Sequence, residues 1–593
     1  MFPDGPCIFH NIQQFGKYIR FNFGKKPTRG ERHFLNMNKR PIEYYFSKRE
    51  LLKILCRKRA LLAKKEHDKL FHKRLLLNKG NQNLNEFYEI FPSRNKWIRL
   101  KKRERSGKNA LEINAIQLER TVLRATNKFK NTPATEWQKK LYAYLEDLSV
   151  DILKGAYVIP KPKIFGQFKE KKDGKSIFRP IAHYKLKDRI KISQMSKYLT
   201  ECFDATFEDC SYAFRSTRVL KKSYSHHSAI EDIITYKSKF PNQDLWVSEC
   251  DIKKFYDCVN HDVVKTILLN KIDECKLLGM VIDQRAVDVF YTYLDSYAFN
   301  FDVKTINLGR NKLFGWVSEK DLISVGSDPS KDKIGIPQGG AISCLIANLL
   351  MDSIDKKVLS LNTDGNLFYA RFCDDMVLLH PDKSICQKAL DAYKRGLQDI
   401  KLLNHSFTVI TDYDKSFWKS KSKAPYQWGS NVLKKSNVPW LSFVGYQISY
   451  DLRLRVRRSS LKKEMEKQVR ETGKVISCIT QGKDFRVSER SINKRLKQRL
   501  LSMSVGRKNI FDLHKKGNMC WTSGFKLLKT YPNVQYQAKH LDKKRVAQFA
   551  RLESHLKKMD ETQRPPKTRK AVKIDKDPKY YGSPFSYHFQ FKN

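Results

Sequence analysis

Two adjacent carboxylates, Asp374 and Asp375, lie between two apolar, β-prone runs, residues 367–373 and 376–379. This pattern predicts a hairpin of two buried strands with acid at its tip. Adjacent carboxylates repel each other, and the loss of hydration between buried strands strengthens the repulsion. A divalent cation would relieve it. The alternative is an ordinary surface turn, since Asp is common in turns.

A third carboxylate, Asp251, ends an apolar-leaning run that starts at Trp246, and a short aromatic turn follows it. Three carboxylates that converge on two hard cations can activate a 3′-hydroxyl and stabilise a leaving pyrophosphate. Mg²⁺ prefers oxygen ligands and keeps substrate phosphates in its shell. The sequence therefore predicts an α/β region in which Asp251, Asp374 and Asp375 are catalytic and bind metal.

A glycine pair, Gly339 and Gly340, lies between the two acidic segments, within residues 335–343. Most such pairs are plain turns, but glycine also lets a backbone approach a ligand closely. A helical pattern that starts at Ile342 would place this loop at a helix N-terminus, where anions are stabilised. The position of the loop between the acids favours a ligand-binding role.

The chain carries 116 Lys and Arg against 62 Asp and Glu, a formal charge of +54. Because such charge repels itself, a polyanion is expected as partner, and nucleic acid is the commonest. Residues 1–110 form the most basic block. Within it, residues 56–79 alternate basic pairs with leucines, which predicts helices with one cationic face. We interpret the block as an RNA-binding extension; a solvated helical face is the alternative.

No run approaches the ~18 apolar residues of a membrane span, and no secretory leader is recognisable, so no membrane association is expected. The twelve cysteines are scattered without a C-x-x-C pair, which favours a reducing, cytoplasmic location. Residues 171–175 predict a hairpin turn through Asp173-Gly174. Residues 452–470 form a basic helical pattern, and the remaining C-terminal part is expected to be helical.

In chain order, these motifs resemble the reverse transcriptase family, above all its bacterial and group II intron-like branch. Residues 251–257 with Asn260-His261 are similar to the first catalytic motif, residues 336–340 with Ser343 to the P-Q-G-G-x-x-S motif, and residues 372–375 to the Y-x-D-D box. Three further segments match the family around them: residues 179–181 with 188–189, 211–215 and 443–446.

The resemblance implies an α/β right-hand polymerase. Its parts would be a basic, mostly helical extension (1–110), fingers (111–240), a palm (241–450), and a thumb with a helical tail (451–593). Two Mg²⁺ ions, with Mn²⁺ as a substitute, would be held by Asp251, Asp374 and Asp375 with help from the Ile252 carbonyl.

The resemblance also implies how nucleotides and primer are held. Tyr256 occupies the position of the ring that excludes a 2′-hydroxyl, which implies dNTP use. Arg179, with Lys163 or Lys175, would hold the triphosphate. The other implied residues are Gln338 and Gly339 along the nascent base pair, Lys415 as an acid for pyrophosphate, and the primer grip Phe443, Gly445 and Tyr446.

Some positions depart from the family pattern: Phe372-Cys373 replaces Y-A, and Cys344 replaces the common Pro after Ser343. None of these departures removes a metal ligand. The tail shows neither C-x-x-C endonuclease knuckles nor the acids of a ribonuclease H. A stand-alone enzyme with a long basic extension resembles the defence-associated, abortive-infection reverse transcriptases.

The expected function is a reverse transcriptase in anti-phage defence that adds dNTPs to a 3′-hydroxyl on an RNA template. A dedicated noncoding RNA, or restricted or untemplated synthesis, are variants of it. The expected partners are RNA, the DNA product and dNTPs, with a second protein subunit or a homo-oligomer left open. The alternative is an RNA-binding scaffold that keeps the polymerase fold as a partner of another polymerase.

Overall fold

The computed structural model describes residues 40–75, 87, 89–106, 108, 110–128, 134–215, 224–409, 415–429, 437–481, 488–505, 532–559, 561, 565 and 585. Residues 1–39 of the predicted RNA-binding extension lie outside this part of the chain. Much of the predicted C-terminal helical region, residues 506–531 and all residues after 565 except 585, also lies outside it.

The strands of the described residues are β1 Lys163–Lys172, β2 Lys175–His183, β3 Leu245–Asp251, β4 Lys312–Phe314, β5 Phe368–Phe372, β6 Asp375–His380, β7 Phe407–Thr408, β8 Ser422–Trp428, β9 Asn437–Val438, β10 Trp440–Phe443, β11 Tyr446–Ser449 and β12 Leu454–Val456.

The α-helices of the described residues are α1 Ile42–Tyr45, α2 Lys48–Leu75, α3 Lys102–Arg105, α4 Ala110–Lys128, α5 Glu136–Leu153, α6 Leu186–Phe203, α7 His226–Ser238, α8 Phe255–Cys258, α9 His261–Leu277, α10 Gln284–Asp295, α11 Glu319–Ser324, α12 Ala341–Leu359, α13 Lys383–Asp399, α14 Lys415–Lys419, α15 Arg458–Gln481, α16 Glu489–Val505 and α17 Pro532–Lys558. Short 3₁₀ or π turns cover Arg94–Lys96, Asp204–Thr206 and Phe299–Val303.

A mixed sheet with the order β5-β6-β3-β8-β7 forms the centre of the fold, and β9 also pairs with β8. Both faces are buried. Met376 and Leu378 of β6 face the larger core under α12 and α13, while Val377 and Leu379 face a second core with α7 and the β10–β12 sheet. Because side chains alternate along a strand, a strand buried on both faces reads as a continuous apolar run.

A second sheet has the order β1-β2-β4. The predicted hairpin turn is present, with Asp173 and Gly174 at φ of 48° and 74°. Both angles are positive, as a tight two-residue hairpin requires. A bulge interrupts the β1–β2 register between Phe168 and Glu170, so that Lys169 is the extra residue.

The described helices before residue 130 pack on the same core as the central sheet. Ile42, Leu51, Leu55 and Leu118 are buried in that core, and the Tyr45 hydroxyl donates to Glu201 of α6 at 2.6 Å. The N-terminal helices are therefore docked onto α6. The boundary predicted at residue 110 stays a prediction.

The helix predicted over residues 452–470 starts later, so this prediction was wrong at its N-terminal end. Leu454–Val456 form β12, which pairs with β11, and α15 runs over Arg458–Gln481. The strand pairing overrides the local helical pattern because β12 closes a small sheet around Ile448 and Leu454. The prediction of a mixed α/β fold with helical N- and C-terminal regions is confirmed. No helix among the described residues is both apolar enough and long enough to cross a bilayer.

Candidate active site

The three predicted acids lie at one end of the central sheet. Asp251 ends β3 and Asp375 begins β6, and the two are directly opposite each other in the antiparallel ladder. Asp374 lies in the tight turn between β5 and β6, where Cys373 adopts a left-handed φ of 62°. Residues directly opposite on neighbouring strands have Cβ atoms about 5 Å apart. Strand register, which no local pattern reveals, therefore brings Asp251 to the hairpin.

Burial and neighbouring carboxylates raise the pKa values of Asp374 and Asp375. Loss of hydration, followed by the charges of Asp374, Asp251 and Glu249, raises the pKa of Asp375 to about 7, although its side chain still reaches solvent. Burial and then the charge of Asp251 raise the pKa of Asp374 as well. Asp374 and Asp375, whose ionisation is opposed by burial and by the carboxylates beside them, form a site at which added positive charge is favoured.

The candidate ligands are the carboxylates of Asp251, Asp374 and Asp375 and the Ile252 carbonyl. All of these are oxygen ligands, which hard cations prefer. Among the residues that the structure describes, no group of three or more His, Cys, Asp and Glu is arranged to hold an ion by itself. Mg²⁺ is commonly held by only one or two carboxylates together with substrate phosphates and water. Ile252 lies between two backbone hydrogen bonds, Lys253 N to Leu403 O and His405 N to Asp251 O, which fix the chain on either side of its carbonyl.

The Tyr256 ring lies beside the acidic turn. Its hydroxyl is 3.4 Å from the Cys373 sulfur, and its ring meets that of Phe255 edge-on at 5.2 Å. Burial and then Cys373 raise the pKa of Tyr256, so the phenol stays neutral. The Cys373 that departs from the family pattern thus contacts the Tyr256 hydroxyl.

The glycine loop is joined to the turn after Asp251. Ile336 N donates to Tyr256 O at 2.7 Å, and the Gln338 side-chain amide donates to Asp257 at 2.6 Å. Gly339 has a φ of 86° and open space where a Cβ would lie, whereas a Cβ on Gly340 would overlap the Tyr293 hydroxyl. Gly340 is therefore required for packing, and Gly339 leaves the loop surface open to a ligand. The helix behind it, α12, starts at Ala341.

Arg179 lies in the middle of β2, opposite Gln167, and is exposed. Lys163 and Lys175 lie at opposite ends of the same hairpin. Lys175 comes four residues before Arg179 on β2, and Lys163 comes four residues before Gln167, the partner of Arg179 on β1. That spacing is roughly 13 Å. Burial raises the pKa of the Asp257 carboxyl, while the Gln338 hydrogen bond and the positive charges of Lys254, Arg179 and Lys169, which lies at the bulge, oppose that rise. Lys169 and Lys254 were not among the predicted phosphate-binding residues, and only the bulge and the tertiary packing single them out from the many lysines.

Residues 160–406 match the family model described as "Reverse transcriptase (RNA-dependent DNA polymerase)". The chain contains a reverse transcriptase domain. The matched residues include the three acids, Tyr256 and the glycine loop, and the described structure has the mixed α/β architecture of a right-hand polymerase. The match indicates nucleotidyltransferase chemistry of the RNA-directed DNA polymerase type for this domain.

Curated relatives of the reverse transcriptase domain are distant. The chain is 24% identical over 224 residues to Protein YkfC of Escherichia coli, covering 37% of this chain and 47% of YkfC. It is 25% identical over 212 residues to the Putative COX1/OXI3 intron 1 protein of Saccharomyces cerevisiae, covering 36% of this chain and 20% of that protein. The matches thus span less than half the length of either relative.

Among solved structures, the telomerases of Candida albicans and Candida tropicalis, each with a TWJ fragment of telomeric RNA, are similar at 12% identity. They have TM-scores of 0.32 and 0.34, and the alignments cover 77% and 76% of this chain and 77% and 72% of those chains. Likenesses this remote carry no argument about function.

The predicted primer grip lies C-terminal to the reverse transcriptase domain, in the turn between β10 and β11. Val444 and Gly445 have φ of 40° and 89°, and the flanking Phe443 and Tyr446 are buried. The Tyr446 hydroxyl lies 2.8 Å from His227 Nε2. Lys415 is the first residue of α14, and its side chain is outside the described part of the structure.

A buried ion pair in the reverse transcriptase domain supports the acidic turn, and sequence reasoning missed it. Arg371 of β5 is fully buried and pairs with Asp355 of α12 at 2.6 Å. Its Nη1 also donates to the Cys373 carbonyl, immediately before Asp374, at 3.1 Å. Tyr369 donates to the same Asp355 at 2.7 Å. The predicted segment 211–215 joins here, because Ser211 bridges Arg371 in the backbone.

Lys421, just before β8, is a second residue that the sequence did not single out. Its ammonium lies 3.1 Å from Asp251 Oδ2 and 3.1 Å from His405 Nε2. Burial and then Lys421 lower the pKa of His405, which favours the neutral imidazole beside this ammonium. Lys421 therefore supplies positive charge to Asp251 at the acidic end of the central sheet.

Replacing Lys421 by methionine is expected to tighten Mn²⁺ binding to the purified chain about threefold, because the ammonium no longer competes for Asp251. The effect is modest since a half-exposed charge is screened by solvent. A Mn²⁺ titration followed by electron paramagnetic resonance measures it. Lys357→Met is the matched control, since Lys357 is about as exposed and pairs with a remote Asp399. Equal or weaker Mn²⁺ binding by the Lys421→Met variant would contradict the competition.

Proposed function

We propose that this protein is an Mg²⁺-dependent RNA-directed DNA polymerase that joins dNTPs to a 3′-hydroxyl on an RNA template. The observation that carries the proposal is the meeting of Asp251 and Asp375 in register, with Asp374 in the adjoining turn, inside a segment that matches the reverse transcriptase family. The raised pKa values of Asp374 and Asp375, which come from burial and then from neighbouring carboxylates, support a site made for cations.

Each part of the site has a proposed task. Asp251, Asp374 and Asp375, with the Ile252 carbonyl, would hold two Mg²⁺ ions, or Mn²⁺ in their place. When bound, such ions lower the pKa of the attacking hydroxyl and offset the charge of the leaving pyrophosphate. Arg179, with Lys163 or Lys175, would orient the triphosphate on the fingers side, and Lys169 at the β1 bulge is a further cation of the same hairpin. Asp375 must be ionised to bind a cation, so cation binding competes with protonation of this carboxyl, whose pKa is raised.

We place the remaining predicted roles in the same scheme. The fingers would cover residues 111–240, the palm 241–450, and the thumb and tail 451–593. Gln338 and Gly339 would line the nascent base pair, and Phe443, Gly445 and Tyr446 would hold the primer end. Lys415 would protonate the leaving pyrophosphate.

The proposed partners are an RNA template, which a dedicated noncoding RNA would supply, and the DNA product. The large positive charge supports nucleic-acid binding. We extend the proposal to a cytoplasmic bacterial enzyme of abortive-infection-type anti-phage defence, which rests on the family resemblance and the long basic extension. Sequencing the nucleic acid that co-purifies with the protein tests both the template and the restricted-synthesis variant.

Replacing Tyr256 by alanine is expected to raise rNTP incorporation relative to dNTP incorporation by about 10- to 100-fold, the range that a single steric group in a pocket can provide. The reason is that the ring would no longer exclude the 2′-hydroxyl. Ratios of kcat/KM for a matched dNTP and rNTP measure the change. Tyr256→Phe is the control, because it keeps the ring and removes only the contact with Cys373. Unchanged selectivity in the alanine variant would remove Tyr256 from its proposed role.

The proposed function is tested with the purified full chain, its co-purified RNA, Mg²⁺ and labelled dNTPs. We expect a product that resists ribonuclease, is destroyed by deoxyribonuclease and is absent with Asp374→Asn. The scaffold alternative makes a different prediction. Acid variants would then keep full biological effect, while variants of the N-terminal Lys and Arg residues would lose it.

A further inference from the structure

Asp257 is a buried carboxylate that the polymerase scheme above leaves without a task. It follows the catalytic Asp251 by six residues, in the short helix α8, and only 2% of its surface is exposed. Its own backbone is held at both ends. The Asp257 N–H donates to Lys254 O at 2.8 Å, and the Trp316 indole N–H donates to the Asp257 carbonyl at 2.8 Å. These two contacts fix the backbone that carries the carboxylate.

The side chain of Asp257 contacts the glycine loop. Its Oδ1 accepts a hydrogen bond from Gln338 Nε2 at 2.6 Å, a short distance for an amide donor and one typical of a charged acceptor. The Gln338 side chain is half-buried, so its other face remains open. The loop backbone is tied to the same turn by the hydrogen bond from Ile336 to Tyr256. Asp257 and Tyr256 together thus fix both the backbone and the side chain of this loop.

The chemistry of the amide makes this contact directional. A glutamine amide has one acceptor oxygen and one donor nitrogen, and nothing in its shape decides which of the two faces a ligand. An ionised carboxylate only accepts, so it takes the nitrogen and turns the Gln338 oxygen to the other side. Without the carboxylate, both orientations of the amide become available.

We propose that Asp257 is a positioning residue that fixes the orientation of the Gln338 amide at the incoming nucleotide, and thereby sets how tightly and how selectively the dNTP is bound. This inference rests on the proposed function, and it deepens it. Asp257 acts through Gln338 and touches no reacting atom. The consequence is a defined pattern of donor and acceptor on the open face of the loop.

The charges around Asp257 agree with this role. Burial raises the pKa of Asp257 to about 6, while the Gln338 hydrogen bond and the cations Lys254, Arg179 and Lys169 oppose the rise. The Tyr297 hydroxyl, from the segment after α10, also faces it. The group is thus ionised at neutral pH, as the contact with Gln338 Nε2 requires, and below about pH 6 it gains a proton and becomes a donor.

The test measures kcat and KM for a matched and a mismatched dNTP with the full chain and its Asp257→Asn variant, which keeps the side-chain shape. We expect KM for the matched dNTP to rise about tenfold and misincorporation to increase, because the neutral amide no longer imposes one orientation on Gln338. In the unaltered protein, KM should rise as the pH falls through about 6, and this step should be absent in Asp257→Asn. A variant with the KM, the misincorporation and the pH profile of the unaltered protein would overturn the inference.

Two further measurements keep the inference falsifiable. In a background of Gln338→Ala, the Asp257→Asn change should add nothing, since residues that act as one unit are non-additive; additive effects would indicate a general structural role. If Asp257→Asn fails to fold, Gln338→Met is measured in its place. This variant removes the half-buried amide that Asp257 holds, and it should produce the same loss.

Equilibrium binding of a non-hydrolysable dNTP analogue separates this inference from the proposed function. We expect about tenfold weaker binding by Asp257→Asn, a result that needs no turnover. If neither the unaltered protein nor the Asp374→Asn variant makes DNA, the proposed function fails. Equal affinity of the Asp257→Asn variant and the unaltered protein for the analogue would overturn this inference, whatever the result for DNA synthesis.

Discussion

Replacing Asp374 by asparagine is expected to lower the rate of dNTP incorporation by a factor of about 10³ or more. The substitution keeps the size of the side chain and removes the charge that would hold a metal ion beside Asp251 and Asp375. Phosphoryl transfer has little other source of rate enhancement, because positioning and electrostatic stabilisation supply almost all of it. Single-turnover incorporation at saturating Mg²⁺ measures the loss.

Asp399→Asn is the matched control, since Asp399 is an exposed carboxylate at the end of α13 that pairs with Lys357. Its rate should stay within about twofold of the unaltered protein, as is usual for surface substitutions. Asp251→Asn and Asp375→Asn should each be as severe as Asp374→Asn, and combinations should be scarcely worse, because the three residues act as a unit. An Asp374→Asn protein that retains most of its rate would contradict the proposed site.

The second large effect concerns stability. Replacing Arg371 by methionine is expected to lower the free energy of unfolding by about 3–5 kcal/mol, the usual cost of breaking a buried ion pair from one side. Asp355 would be left buried, with the Tyr369 hydroxyl of β5 still donating to it. The Cys373 carbonyl, and with it the Asp374 turn, would also lose its Arg371 hydrogen bond. Denaturant unfolding followed by far-ultraviolet circular dichroism measures the change.

Arg395→Met is the control for this experiment, because Arg395 is exposed on α13 and should change stability by no more than about 0.5 kcal/mol. The double variant Arg371→Met with Asp355→Leu should recover part of the loss, since it removes both buried charges together. If Arg371→Met unfolds at the same denaturant concentration as the unaltered protein, the ion pair has no part in supporting the hairpin.

Local patterns in the sequence were enough to place the turns and one helix start. The Asp173-Gly174 turn was predicted because two residues at positive φ suit that pair. The hairpin at Asp374-Asp375 was predicted because two apolar strands flank polar residues. The helix after the glycine loop begins at Ala341, one residue before the predicted start.

Patterns that span distant segments failed or were missed. Residues 452–457 look helical on their own, yet β12 forms there because it pairs with β11. The sequence does not distinguish Lys169 and Lys421 from the other lysines. Lys169 is distinguished by the β-bulge of β1, and Lys421 by the pairing of β8 with β3, which brings it to Asp251. Asp257 belonged to a matched motif, but its contact with Gln338 crosses more than eighty positions of the chain.

The amino-acid sequence alone thus determined the kinds of chemistry that the chain carries: the acids, the aromatic ring, the glycine loop and the excess of positive charge. These follow from residue type and short-range periodicity, which act over a few bonds. Only the tertiary structure decided which of these groups meet, since strand register and buried ion pairs join residues that are far apart in the chain. A shift of one residue in the β3–β6 pairing would turn Asp251 to the other face of the sheet, and no local pattern in the sequence excludes that shift.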